Sequence, residues 1–258
     1  MNFRFIILAA GKGKRMHSDI PKALTTVCGK PILQYVHESV MRTRLDSSPI
    51  VVIGPERIPL CESFNGACKY VVQEEQLGTA HAVQMARKEV GEQTESVIVL
   101  YGDHPFVSTQ TLQRLVALHE QKQVVVTMMT TTVPSFDDWH RAYLYWGRIL
   151  RDADNNIVGI REYKDATNQE REIREVNPAL YCFDTKWLWE QIGEIKNVNA
   201  NQEFYLTDLV ELAVAQGYKI YSLSIPPEEA VGINTPEERE IAEKILRNRK
   251  SEIINPES

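Results

Sequence analysis

Residues 5–22 read FIILAAGKGKRMHSDIPK. Phe5 to Ala10 is an apolar run with β-branched Ile6 and Ile7, the length and composition of a strand covered on both faces. It stops at glycine. Gly11 and Gly13 open backbone angles closed to other residues and let main-chain N–H groups approach an anion closely. Lys12, Lys14, Arg15 and Lys22 add four cationic side chains, with Pro21 stiffening the approach to the last. A buried strand delivering such a loop describes a triphosphate cradle, although a surface turn with solvated lysines has the same composition. The loop has neither the Gly-Lys-Ser/Thr ending of a P-loop nor the three-glycine dinucleotide fingerprint, so those two phosphate mechanisms do not transfer to it.

Outward from this stretch, strand and helix patterns alternate. Proline at position 31, followed by Ile32, Leu33, Val36 and Val40 at helical spacing, predicts a helix to about Arg44. Ile50–Ile53, Tyr70–Gln73, Val97–Tyr101 and Val124–Thr132 read as strands, with helices from about Thr79 and over Thr109–Gln121 between them. That alternation predicts an α/β, Rossmann-like, doubly wound and mostly parallel sheet. From Pro134 the chain becomes more polar. Asp154-Asn155-Asn156 predicts a hairpin joining 148–150 to 157–162, a late insertion suited to a second wall or to a plain surface excursion. Val176–Phe183 reads as one strand, Lys186–Ile195 as a helix, Glu203 to about Gln216 as another, and Lys219–Ile225 as a strand. Thr235 with Glu238 three residues on, and Pro236 between them, opens a last helix to about Lys250.

Three further motifs carry candidate chemistry. In Gln73-Glu74-Glu75-Gln76-Leu77-Gly78-Thr79, Gly78 and Thr79 stand where a helix begins, and their N–H groups can face an anion or a base edge. The Gln73 amide donates and accepts at once, matching a pyrimidine edge; an ordinary helix entry fits the same residues. Gly102-Asp103-His104-Pro105 puts a carboxylate at the end of a buried strand, over the crevice where open α/β sheets bind ligands. There Asp103 can hold Mg²⁺, a hard cation that bridges protein oxygens to phosphates; aspartate before a turn proline reads the same way. Asn234 can add a neutral oxygen or serve only its turn.

The chain has 258 residues and a formal charge of −6, enough for one large domain and poorly suited to a nucleic-acid surface. Cys28, Cys61, Cys68 and Cys182 form no metal-like or redox-like pair, which with the absence of a signal segment or membrane span predicts a cytoplasmic protein.

Taken in order, LAAGKGKRM, PKAL, QEEQLGTAHAV, YGDHP, WGRI, IREYKDA, VNPALY, NQEFYLTDLV and GINTPEE resemble the sugar-phosphate nucleotidylyltransferases. Within them, the match is to the uridylyltransferase domain of the bacterial N-acetylglucosamine-1-phosphate uridylyltransferases, and it runs from Phe5 to about Lys250. The resemblance implies a single GT-A-like nucleotidylyltransferase domain over 1–258, with a nucleotide-binding part at about 1–133 and 219–250 and a sugar-binding part at about 134–218. No hexapeptide repeat follows, so the β-helix acetyltransferase domain of bifunctional members is not expected. It further implies that Leu8, Ala9, Ala10, Gly11, Lys22, Gln73, Gly78, Thr79 and Gly102 bind the nucleotide, and that Gly147, Glu162 and Asn177 bind the sugar. Asp103 and Asn234 would hold Mg²⁺, and Arg15 and Lys22 would be the catalytic cations. UTP and N-acetylglucosamine-1-phosphate would be the substrates, with no nucleic-acid or membrane partner. Another sugar phosphate or nucleotide, or a catalytically silent sugar-nucleotide-binding module, are the competing readings. Four positions depart from the family pattern: Pro178-Ala179 replace Thr-Gly after the asparagine, Lys14 replaces threonine, and His104 replaces a smaller apolar residue.

Overall fold

A computed structural model describes residues 2–11, 13, 16, 21–55 and 67–254. Arg15, and with it Lys12, Lys14 and Cys61, lies outside the described residues. The opening apolar run forms β1 (Phe3–Ala9). It pairs in parallel with β4 (Ile50–Ile53) on one side and β6 (Ser96–Tyr101) on the other. A small hairpin, β2 (Thr26–Val27) with β3 (Lys30–Pro31), precedes the helix Ile32–Thr43. On the outer side of β4, β5 (Lys69–Val72) adds a further parallel edge.

Beyond β6 the order is β11-β7-β10-β8-β9, with β12 (Tyr221–Ser224) on the other side of β7 (Val126–Thr132). Here β8 is Arg148–Arg151, β9 Ile157–Arg161, β10 Glu175–Val176 and β11 Tyr181–Asp184. The strands β5, β4, β1, β6, β7, β12 and β8 run one way, while β11, β10 and β9 run the other. The doubly wound, mostly parallel sheet with a late hairpin is therefore the observed architecture.

Side-chain alternation along β1 builds both layers. Phe5 and Ile7 face a cluster with Leu33, Val36, Leu112 and Leu115 from the helices Ile32–Thr43 and Thr109–Lys122. Ile6 and Leu8 face the opposite cluster, with Val83, Leu188 and Leu209 from the helices Thr79–Met85, Thr185–Gln191 and Asp208–Ala215. With Phe5, Ile6 and Ile7 fully buried, the strand that opens the chain is central.

Three expectations are corrected. The stretch Val176–Phe183 is two strands, because Pro178 has no N–H to donate and Ala179 turns through the left-handed region at φ +58°. The helix expected from Glu203 starts at Asp208. Residues 203–207 pair instead with the 77–80 loop, Phe204 N–H donating to Leu77 O at 2.8 Å and Ala80 N–H to Phe204 O at 2.9 Å. The helix expected over Lys186–Ile195 ends at Gln191 and tightens into a 3₁₀ turn.

Candidate active site

The carboxyl ends of β1 and β6, in register through Leu8 and Tyr101, open onto a cleft of about 560 Å³. Leu8, Ala9, Ala10, Gly11, Lys22, Gln73, Gly78, Thr79 and Gly102 all line it. Gly78 is required there by close approach and conformation together. Its φ is +123°, and a Cβ would fall 2.5 Å from Phe204 O.

A second cavity of about 390 Å³ continues from the first, lined among others by Gly147, Glu162 and Asn177. Thr79, Tyr101, Asp103, Glu203 and Asn234 border both. Gly147 admits the approach of β9 and its exit loop, since a Cβ there would meet Ile160 Cγ2 at 2.9 Å and Glu162 Oε1 at 3.3 Å.

At the junction, the Lys22 ammonium donates to Asp103 Oδ2, and to Asn234 Oδ1 at 2.5 Å. Burial is the largest influence on the Asp103 carboxyl and would raise it, but the charge and hydrogen bond of Lys22, joined by smaller lowering contacts, together hold the group below the usual carboxylate range. His104 is pushed the other way by burial, which lowers it and keeps it neutral. Asp103 and Asn234 thus aim two oxygens at one cationic nitrogen, and the other Asp103 oxygen, Oδ1, is buried without a hydrogen-bond partner. That donor set fits Mg²⁺, which takes one or two protein oxygens and completes its shell with phosphates and water. Among the described residues no cluster of three or more His, Cys, Asp or Glu side chains could cage a metal by protein ligands alone.

Two expected ligand-binding side chains are turned onto the protein. Gln73 Nε2 donates to Gly78 O at 3.0 Å and lies 3.1 Å from His81 Nδ1. Asn177 Nδ2 donates to Tyr181 Oη at 2.6 Å, while its Oδ1 accepts from Ala179 N–H at 2.9 Å. Both still border their cavities, but they shape the walls before any ligand arrives.

Three residues that the motif reading passed over stand at the site. Gln76 lines the larger cleft, with Nε2 donating to Ala10 O. Because a carbonyl only accepts, this fixes the amide with Oε1 as a buried acceptor that has no partner among the described residues. Tyr101 is half-buried where the two cavities meet, and burial raises its phenol far above the ordinary value. Glu203 borders both cavities from the loop docked on Gly78. The second glutamine of the QEEQ motif was a readable signal for Gln76; Glu203 stands in the NQEFYLTDLV motif, but its place at the cavities depends on the long-range docking of that loop on Gly78.

Glu162 is the most perturbed acid of the smaller cavity. Burial, with Asp208 and Asp165 adding like charge and Thr207 opposing, brings it up to about 7. Asp208 rises to about 6 from burial and the neighbouring Glu211 and Asp165.

A mostly parallel sheet whose strand ends bring an acid and a cation to the junction of two cavities has the layout of a ligand-binding α/β domain. The chain belongs to the MobA-like NTP transferase domain family, whose model matches residues 5–190. It is 36% identical over 245 residues to a bifunctional protein GlmU of Brevibacillus brevis, covering 95% of this chain and 51% of that relative. To the bifunctional protein GlmU of Desulfotalea psychrophila it is 37% identical over 248 residues, covering 95% and 71%. The chain thus spans about half the length of the Brevibacillus relative. A solved putative glucose-1-phosphate thymidylyltransferase from Bacillus anthracis superposes with a TM-score of 0.74 at 19% identity, over 95% of each chain. A UDP-glucose pyrophosphorylase solved with UDP-glucose also gives 0.74, at 17% identity over 96% of this chain and 100% of that one. These two share the fold. Among the described residues no helix is long and apolar enough to cross a membrane.

Proposed function

We propose that this chain transfers a uridylyl group from UTP to N-acetylglucosamine-1-phosphate, releasing pyrophosphate. The observation that carries the reading is the meeting of two cavities at Lys22, Asp103 and Asn234. One cavity has the volume and backbone-lined wall for a nucleoside triphosphate. The other offers carboxylates, amides and aromatic rings of the kind that hold a sugar, and the reacting phosphates would lie between them. Similarity to the GlmU proteins favours uridylyl transfer to the amino-sugar phosphate over other pairs.

In this reaction a phosphate oxygen of the sugar phosphate bonds to the α-phosphorus, and the bond from the α-phosphorus to the α,β-bridging oxygen breaks, so pyrophosphate leaves with that electron pair. No protein nucleophile is needed; positioning and charge neutralisation supply the catalysis. Lys22 would contact the phosphates, and Arg15 would neutralise the departing pyrophosphate. Mg²⁺, held by Asp103 and Asn234, would supply further charge neutralisation on the phosphates. Gln76 Oε1 is an acceptor for the N3–H of uracil, a donor that cytosine lacks. Cytoplasmic residence follows from the same reading, since UTP and sugar phosphates are found there.

The test is pyrophosphate release by the purified chain with UTP and Mg²⁺, adding N-acetylglucosamine-1-phosphate, glucosamine-1-phosphate or glucose-1-phosphate. Release that requires the acetylated sugar and Mg²⁺ supports the proposal. Release with a different sugar alone would move the specificity, and silence with all of them in a folded, UTP-binding protein would replace the enzyme with a binding module.

A further inference from the structure

Arg148 on β8 is a fully buried arginine, 0% exposed, that touches neither cavity. Burying a guanidinium is costly unless its N–H groups are satisfied. Here they are satisfied by main-chain carbonyls: Nη1 donates to Trp146 O at 2.5 Å, Nη2 to Leu144 O at 2.8 Å, and Nε and Nη2 to Arg171 O at 3.3 and 3.2 Å. Its charged plane lies against Phe136, 4.5 Å from the ring centroid, and Tyr163, at 5.3 Å.

Around it two adjoining segments of the smaller cavity's wall meet, 144–147 and 162–163, side by side across the β8–β9 pair. Leu144 and Trp146 flank Tyr145 and lead to Gly147, which all border the cavity except Leu144. Tyr163 follows Glu162 directly and packs edge-on against Tyr145 at 5.1 Å. Arg171, the third anchor, donates in turn to Tyr163 O at 3.2 Å. Gly147 O accepts from Asn177 N–H at 2.9 Å, which ties the Asn177 turn to the same frame.

We infer that Arg148 is a positioning residue for the acceptor sugar: one buried cation that clamps the 144–147 wall against the 162–163 wall. This rests on the proposed reaction for its kinetic consequence, though not for its structural one. Arginine suits the task because its planar fork can reach three carbonyls in fixed directions, which a lysine ammonium of similar charge cannot reproduce. The nucleotide cleft, built on β1 and β6, makes none of these contacts, so the effect is confined to one substrate.

Arg148→Lys tests this. The KM for the sugar phosphate should rise about tenfold, the equivalent of losing one hydrogen bond to a charged group, while the KM for UTP stays within about twofold of wild type. Amide hydrogen exchange should quicken in 144–147 and 162–164 and remain unchanged in β1 and β6. Phe136→Leu loosens one face of the guanidinium and leaves its hydrogen bonds, and should raise the same KM by about threefold, as expected for a cation–π contact. It also serves if the lysine variant does not fold. Unchanged sugar KM in a folded variant, equal rises for both substrates, or unaltered exchange in the two wall segments would each overturn the assignment. A wild-type protein silent with every sugar phosphate would sink the proposed reaction instead, leaving the exchange result to decide the clamp.

Discussion

Lys22 and Asn234 are separated by 212 residues and meet at 2.5 Å. The first stands just after the loop that follows β1. The second precedes the last helix and is held by Glu238, which accepts from Asn234 N–H at 2.5 Å and from Thr235 N–H at 3.1 Å. With Asp103 at the end of β6, the ends of three distant segments share one cation, which is the junction on which the proposed chemistry depends.

Asp103→Asn removes the charge that holds Lys22 and retains the shape. Nucleotidyl transfer should fall by roughly a hundredfold, on the order of 3 kcal/mol of barrier, with secondary structure intact by circular dichroism. Full activity of this variant at limiting Mg²⁺ would remove Asp103 from the metal site.

Glu162 binds its proton more tightly in the folded chain, at about 7, than at the ordinary 4.5. Native protein therefore holds more protons than unfolded chain between those values, and stability falls as pH rises through that window before levelling off. Glu162→Gln should cancel this component, gaining on the order of 2 kcal/mol over wild type at pH 8 and little at pH 4. Denaturant melts at the two pH values measure it, and an equal difference at both would contradict the buried carboxylate. Asp208, raised to about 6, contributes with the same sign, and as one of the like charges that push Glu162 up it is coupled to it, so the comparison reads the two acids together.

Gly78→Ala should cost about 3 kcal/mol or more, because the new methyl meets the Phe204 backbone and φ +123° is closed to alanine. Thermal unfolding reads the loss. A variant as stable as wild type would show that the 77–80 and 203–207 loops are not packed as described.

Gln76→Leu removes an unpartnered acceptor from the wall of the larger cleft. The KM for UTP should rise about tenfold, the scale of one lost hydrogen bond, and the preference for UTP over CTP should shrink. A change in the sugar KM alone would exclude Gln76 from base reading.

The central sheet was legible because Phe5–Ala10 and Val97–Tyr101 are buried on both faces, which forces unbroken apolar runs that periodicity detects. The residues of the cleft were legible as local motifs on strand ends. Much of what the sequence concealed was set by distant contacts. The orientation of the Gln73 and Asn177 amides depends on Gly78, His81 and Tyr181. The late start of the helix Asp208–Ala215 depends on Phe204 docking to Leu77. The break at Pro178-Ala179 is local, set by proline and a left-handed residue, and was masked by the β-rich composition around it.

The antiparallel strand β11 lies between β6 and β7, with Tyr181 opposite both Val99 and Met128. A ribosome releases β1, β4, β5, β6 and β7 well before it supplies this strand, so during synthesis the nascent sheet carries an open seam at its centre. The segment up to β7 is consequently not a unit that can close by itself, and cleavage or truncation between β7 and β11 would leave two unpaired edges. Closing that seam is thereby expected to order the larger cleft and the smaller cavity together.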